Sequence, residues 1–315
     1  MDTKNPVSVI TGGAGFIGSH LCEALLEIGH KVFCVDNLLT GSEKNTEALK
    51  ANPDFTFIKW DVTNDMPVIP AVDYVFHLAS PASVPDYQKY DEETALVNSI
   101  GTRNLLKFTK AYKAKFLFTS TSEVYGDPKE HPQKETYWGN VNPNGVRACY
   151  DESKRFGEMI TMLYIRNRGV DGRIARIFNT YGPKMRKDDG RVISNLINQA
   201  LEGKPLTIYG EGKQTRSFCY VSDQVAGLVA MMFGSNTTGE VVNIGNPEEY
   251  TMIDLANKIK TMTASKSEIV YAELPTDDPT QRRPDITKAQ TLLGWKPLVS
   301  VDEGLKKTIE YYKNA

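Results

Sequence analysis

Tyr150 stands four residues before Lys154 in the run Tyr150-Asp-Glu-Ser-Lys154, downstream of Thr121-Ser122-Glu123. On a helix, residues four apart share a face, so an ammonium there lowers the pKa of the phenol toward neutrality and makes it a usable base. The spacing gains weight from a third motif, Gly12-x-x-Gly15-x-x-Gly18, which follows the apolar run 7–11 directly. The glycines permit a tight turn and close backbone approach. Leu21, Ala24, Leu25 and Ile28 follow at helical spacing up to Gly29, so the loop opens a helix whose N–H groups and dipole face a pyrophosphate. A base next to a dinucleotide site implies redox chemistry on an alcohol.

Asp36 ends the second apolar run, 18 positions after Gly18. Its carboxylate takes both ribose hydroxyls of adenosine and repels a 2′-phosphate, and no arginine follows nearby, so NAD is expected rather than NADP. Asp61 and Val62 are expected at the adenine edge. Phe16, Ile17, Asn37, Thr40, Gly41, Leu78, Ser80 and Thr180, with Tyr150 and Lys154, complete the expected cofactor contacts.

Positioning these groups requires a scaffold. Residues 7–11, 31–36, 55–61, 74–79, 115–120 and 173–179 read as strands, and the intervening stretches read as helices, notably 92–112 and 150–168. This alternation predicts an α/β fold of Rossmann type, a doubly wound parallel sheet with ligands beyond its carboxyl edge, where Thr121 and Glu123 also fall. The rhythm breaks after residue 183 into a basic loop with Lys184, Arg186 and Lys187, expected to be mobile and solvated, and a helix at 191–201. Residues 1–180 plus about 218–246 are assigned to the dinucleotide-binding domain. Residues of about 181–217 plus 247–315 are assigned to a smaller C-terminal α/β substrate domain, with helices, one strand and a proline-rich loop at 275–284 in the last stretch.

With 37 basic and 39 acidic residues and a net charge of −2, the chain has no global field to recruit nucleic acid or an anionic membrane. Cys22, Cys34, Cys149 and Cys219 show no C-x-x-C pairing, which fits reduced thiols, and His20, His30, His77 and His131 show no ligand spacing, so no metal is expected. The polar residues 1–6 and the short apolar run after them fit no signal segment or membrane span, so a cytoplasmic protein is expected.

Across nearly its whole length the chain resembles the extended short-chain dehydrogenase/reductase family, and within it the UDP-glucuronate decarboxylases. The resemblance is carried by Thr11-Gly-Gly-Ala-Gly-Phe-Ile-Gly18, His77-Leu-Ala-Ser-Pro-Ala82, Ser120-Thr-Ser-Glu-Val-Tyr-Gly126 and Arg147-Ala-Cys-Tyr-Asp-Glu-Ser-Lys-Arg155. Arg176-Ile-Phe-Asn-Thr-Tyr-Gly-Pro183, Asp189-Gly-Arg-Val-Ile-Ser-Asn195, Gln214-Thr-Arg-Ser-Phe-Cys-Tyr-Val221 and Asp278-Pro-Thr-Gln-Arg-Arg-Pro-Asp285 extend it. It implies a hydride cycle with NAD on bound UDP-glucuronate, with Tyr150 as base at O4, Lys154 holding the tyrosine and the nicotinamide ribose, and Thr121 bonded to O4. The pair Ser122-Glu123 replaces the Asp-Glu of sugar 4,6-dehydratases and favours decarboxylation; 4-epimerases usually lack the carboxylate. A UDP-sugar 4-epimerase or a nucleotide-sugar 4,6-dehydratase is the alternative reading. Arg282 is expected at the substrate carboxylate or the neighbouring phosphate, and Arg191, Arg216 and Asn179 at the nucleotide. Family members are homodimers, which implies a four-helix contact built from residues 92–112 and 150–168.

Overall fold

The computed structural model describes residues 5–314, so most of the polar leader at 1–6 lies outside the described residues. Six parallel strands are formed in chain order, β1 Val7–Thr11, β2 Lys31–Asp36, β3 Phe55–Lys59, β4 Tyr74–His77, β5 Lys115–Thr121 and β6 Asp171–Ile177, and the strand Val241–Ile244 joins β6 at the edge. The spatial order is Val241–Ile244, β6, β5, β4, β1, β2, β3. β1 is buried at all five positions, as an apolar strand covered by helices on both faces must be. Strand order reverses between β1 and β4, which opens a crevice at their carboxyl ends.

Several strands stop earlier than their apolar runs suggest. β3 ends at Lys59 and β4 at His77, so Asp61, Val62, Leu78 and Ser80 sit in the loops that rim the crevice; β6 ends at Ile177 and frees Asn179 in the same way, while Thr180 opens the short strand Thr180–Tyr181, paired with Cys219–Tyr220. The expected single helix at 92–112 is interrupted: Asp91–Leu96 passes through a wide π turn, Val97–Gly101, into Thr102–Tyr112. Asn98 in that turn donates hydrogen bonds to Ser80 and Ser153, tying the turn to the loop after β4 and to the helix Ala148–Arg168.

The C-terminal segments carry more strand than expected. Glu249–Thr251, Thr215–Ser217 and Gln281–Arg282 form a three-stranded sheet, the last of them inside the proline-rich stretch, and Ile269–Ala272 pairs with Leu206–Tyr209. One apolar core runs from Ile10 and Leu25 under the main sheet to Leu196, Leu255 and Leu305, so these segments share their core with the Rossmann unit. That continuity fixes the outer wall of the crevice against the inner one.

Candidate active site

Helix α1, Phe16–Glu27, starts directly out of the glycine loop. Gly12 has φ +74, and a Cβ there would lie 2.7 Å from the backbone N of Ala79; a Cβ on Gly18 would collide with the Gly12 carbonyl oxygen. The loop therefore closes onto its own helix only without side chains. The N-cap residue, Gly15, brings no side-chain cap, and the first turn holds no acidic residue, which leaves the helix dipole and N–H groups for an anion. At the end of β2, Asp36 accepts N–H bonds from Leu38 at 2.8 Å and Ala14 at 3.0 Å, one on each oxygen. Burial pushes its pKa up against those two bonds, and each oxygen keeps a lone pair for a ribose hydroxyl. Gly12, Gly15, Phe16, Ile17, Gly18, Asp36, Asn37, Thr40, Gly41, Asp61, Val62, Leu78, Ser80, Tyr150, Lys154 and Thr180 all line one cleft of about 330 Å³. A bare helix N-terminus followed by a strand-end carboxylate fits a dinucleotide.

The reacting groups stand where that cleft meets the helix Ala148–Arg168. This helix lies close on β5, because a Cβ at Gly157 would run into the Phe118 ring. Tyr150 and Lys154 are thereby brought over the end of β5, beside Thr121. The Lys154 ammonium donates to the Thr119 carbonyl at 2.8 Å and lies 5.8 Å from the centre of the Tyr150 ring. Burial dominates both titrations. It pushes Tyr150 up to about 12, with a Thr121 hydrogen bond and the Arg191 field opposing, and pushes Lys154 down to about 7. In the protein alone, the expected depression of the phenol is therefore overruled by desolvation. Glu123 accepts from Arg147 at 2.6 Å and from Arg282 at 3.3 Å; burial raises its pKa, but Arg282, Arg147 and Arg216 together bring it down to about 2.

The comparisons with known proteins agree with this geometry. Residues 8–245 match the model of the NAD dependent epimerase/dehydratase family. The chain belongs to that family. It is 51% identical over 304 residues to UDP-glucuronic acid decarboxylase 1 of Danio rerio, covering 96% of this chain and 72% of that protein. It is 53% identical over 299 residues to UDP-glucuronic acid decarboxylase 5 of Arabidopsis thaliana, covering 94% and 86%. Among solved structures, UDP-glucuronic acid 4-epimerase of Bacillus cereus, in complex with UDP-glucuronic acid and NAD, is 33% identical with a TM-score of 0.88, covering 98% and 99%.

Within this epimerase/dehydratase framework, Thr121, Ser122, Glu123, Asn179 and Arg191 line the cleft, and Arg216 and Arg282 do not. Arg282 is 1% exposed and donates to the carbonyls of Ser122 and Gly126 as well as to Glu123. It backs the Ser122-Glu123 turn from behind, so the structure does not bring it to the cleft surface where a contact with the substrate carboxylate or the neighbouring phosphate was expected. Arg216 is likewise spent on Asp278, at 2.9 Å, and on the Pro279 carbonyl. The arginine that lines the cleft beside Glu123 is Arg147, which pairs with Glu123 and, at 3.4 Å, with Asp278. Sequence reasoning passed over it, although its place three residues before Tyr150, in the turn that starts the helix, was the available signal.

The basic loop after residue 183 is also revised. Lys184 pairs with Glu23 of α1 at 2.5 Å and donates to the Asn45 carbonyl; Arg186 pairs with Asp86 at 2.9 Å and donates to the Thr40 carbonyl. Both line the cleft and strap its two walls together rather than hanging in solvent.

Proposed function

We infer that this chain is an NAD-dependent UDP-glucuronate decarboxylase that forms UDP-xylose and carbon dioxide. The observation that carries the reading is the meeting of Thr121, Tyr150 and Lys154 with the Glu123–Arg147 pair on one cleft, in a chain about half identical to proteins of that activity. NAD, when bound, supplies a reversible hydride acceptor for C4 of the sugar and, oxidised, a positive charge that opposes the burial penalty on the phenol.

The residues of the chain do the rest. Tyr150 takes the proton at O4 and returns it, and Thr121 holds O4 by a hydrogen bond. Lys154, fixed by the Thr119 carbonyl, keeps the cofactor ribose and the phenol in register. With C4 at the ketone level, the C6 carboxylate is β to a carbonyl, so its C–C bond breaks with the electron pair moving onto O4. Thr121 and Tyr150 stabilise that oxyanion by hydrogen bonds in a buried site. A proton added at C5 completes the exchange of carbon dioxide for hydrogen. Glu123, held ionised by its arginines, sits at the same edge and organises Arg147 toward the sugar.

The reading includes a homodimer in the cytosol. The outward-facing Ile100, Phe156 and Met159 on residues 97–112 and the helix Ala148–Arg168 support a helical contact between two copies, and four free cysteines suit a reducing compartment. Among the described residues, no helix is long and apolar enough to cross a membrane. The test is incubation of NAD-loaded protein with UDP-glucuronate. Release of carbon dioxide with UDP-xylose, and no stoichiometric NADH, is expected; UDP-galacturonate as sole product would replace this reading by a 4-epimerase.

A further inference from the structure

We propose that the Tyr87 hydroxyl contacts the substrate and, together with Arg147, forms the subsite for the carboxylate of the sugar, beside the ring of Tyr150. The proposal rests on the decarboxylase reading and deepens it.

Tyr87 belongs to the short helix Val84–Lys89, which Ser83 caps through the Asp86 N–H and which Arg186 clasps through the Asp86 carboxylate. Its ring is 1% exposed and stacks on Tyr150 with centroids 5.0 Å apart and planes within 3°. The Arg147 guanidinium carbon lies 5.9 Å from the centre of the same ring, so cation, phenol and catalytic phenol follow one another along the cleft wall. Tyr87 lines the cleft, yet its buried hydroxyl makes no hydrogen bond to any described residue. A buried phenol without a partner is costly to leave that way, which marks it as a group waiting for a ligand atom. Burial pushes its pKa up further than the Arg147 field pulls it down, so it serves as a neutral donor.

The charges nearby select the ligand class. Arg147, Arg216 and Arg282 face Glu123 and Asp278, three guanidinium groups against two carboxylates, which leaves one positive charge in excess. Burial and the Glu123 charge raise the pKa of the neighbouring Asp151 well above the usual carboxylate range, which weakens its opposition to that excess. Arg147 uses one terminal nitrogen on Glu123 and the other on Asp278, and a guanidinium has five N–H donors. A cation with spare donors beside a neutral O–H donor matches one carboxylate, and a sugar hydroxyl would use only half of the arrangement.

The experiment titrates NAD-loaded wild type, Tyr87→Phe and Arg147→Gln with UDP-glucuronate, UDP-glucose and UDP by calorimetry. Tyr87→Phe keeps the ring stack and loses only the hydroxyl. It is expected to weaken UDP-glucuronate about ten- to a hundredfold and to leave UDP-glucose and UDP within about twofold, with Arg147→Gln losing the same selectivity. Equal weakening of all three ligands, or none, overturns the subsite, as does a wild type that binds UDP-glucose as well as UDP-glucuronate. If Tyr87-dependent selectivity is present but wild type releases no carbon dioxide, the subsite stands and the decarboxylase reading falls. If wild type decarboxylates and Tyr87→Phe keeps full selectivity, the subsite alone falls.

Discussion

At the dinucleotide end of the cleft, the glycine loop and Asp36 come from one strand–helix–strand unit, residues 7–36, and shape the site largely with backbone. At the sugar end, Glu123 is held by arginines 24 and 159 positions away in sequence, and each of those leans on further long-range partners. The first end is local and nearly free of charge networks; the second exists only when the entire chain is folded. Damage at the dinucleotide end should therefore appear as lost cofactor affinity. Damage at the sugar end should appear jointly in turnover and stability.

Tyr150→Phe gives the largest expected effect and tests whether the two ends separate. Turnover should fall by about a hundred- to ten-thousandfold, the scale of a positioned acid–base group, while NAD affinity stays within about twofold. A calorimetric NAD titration beside the turnover assay checks it; a parallel loss of cofactor binding would mean that the phenol serves both ends.

Arg282→Ala follows. Removing a 1% exposed guanidinium orphans two carbonyls and weakens the hold on Glu123, so unfolding free energy should drop by about 3 to 5 kcal/mol in urea titrations. Because Arg282 does not line the cleft, kcat should fall more than KM rises. The pH dependence sharpens this. Glu123 is depressed from 4.5 to about 2 in the folded chain, so its stabilisation is complete above the unfolded pKa and is lost as pH falls from about 4.5 through about 2. Glu123→Gln should lack that acid limb, and an identical acid profile in wild type and variant would place the network outside the stability balance.

Asp36→Asn probes the local end with a smaller effect. Removing the charge that faces a 2′-phosphate should narrow the preference for NAD over NADP by on the order of 1 to 3 kcal/mol, read from the affinities of cofactor-stripped protein. No change in the ratio would assign the discrimination to another group.

What could be read from the sequence follows the same division. Gly12, Gly15, Gly18, Asp36 and the Tyr150–Lys154 pair were legible because their spacing reflects turn and helix geometry, which is local. The strand alternation likewise gave the parallel sheet, and the fold agrees. The sequence points Arg282 and Arg216 at the substrate because an isolated arginine carries no sign of its partner; only the packing of Arg282 against residues 122–126, and of Arg216 against Asp278 and Pro279, shows that they are already engaged. The Tyr150 titration was misjudged for a related reason: helix spacing reports the nearness of Lys154, whereas burial depends on everything packed around both groups. Lys184 and Arg186 looked like loop charges because Glu23 and Asp86 lie 161 and 100 positions away.

That last pair gives the smallest effect and the finest test of the contrast, since the strap is a long-range element laid over the local end. Arg186 donates to Asp86 with both bonds from one nitrogen, at 2.9 and 3.1 Å, and to the Thr40 carbonyl at 3.1 Å, so it ties the short helix Val84–Lys89 to the loop after β2 across the cofactor cleft. Its side chain is 32% exposed, which keeps the ion pair in the range of about 0.2 to 1 kcal/mol. If the strap holds the cleft closed, Arg186→Ala should speed NAD release by about two- to fivefold, followed as loss of bound dinucleotide after dilution, with little change in unfolding free energy. Faster release with unchanged stability would show that the local site borrows its retention from a distant segment. An unchanged release rate would show that the glycine loop and Asp36 hold the dinucleotide without it.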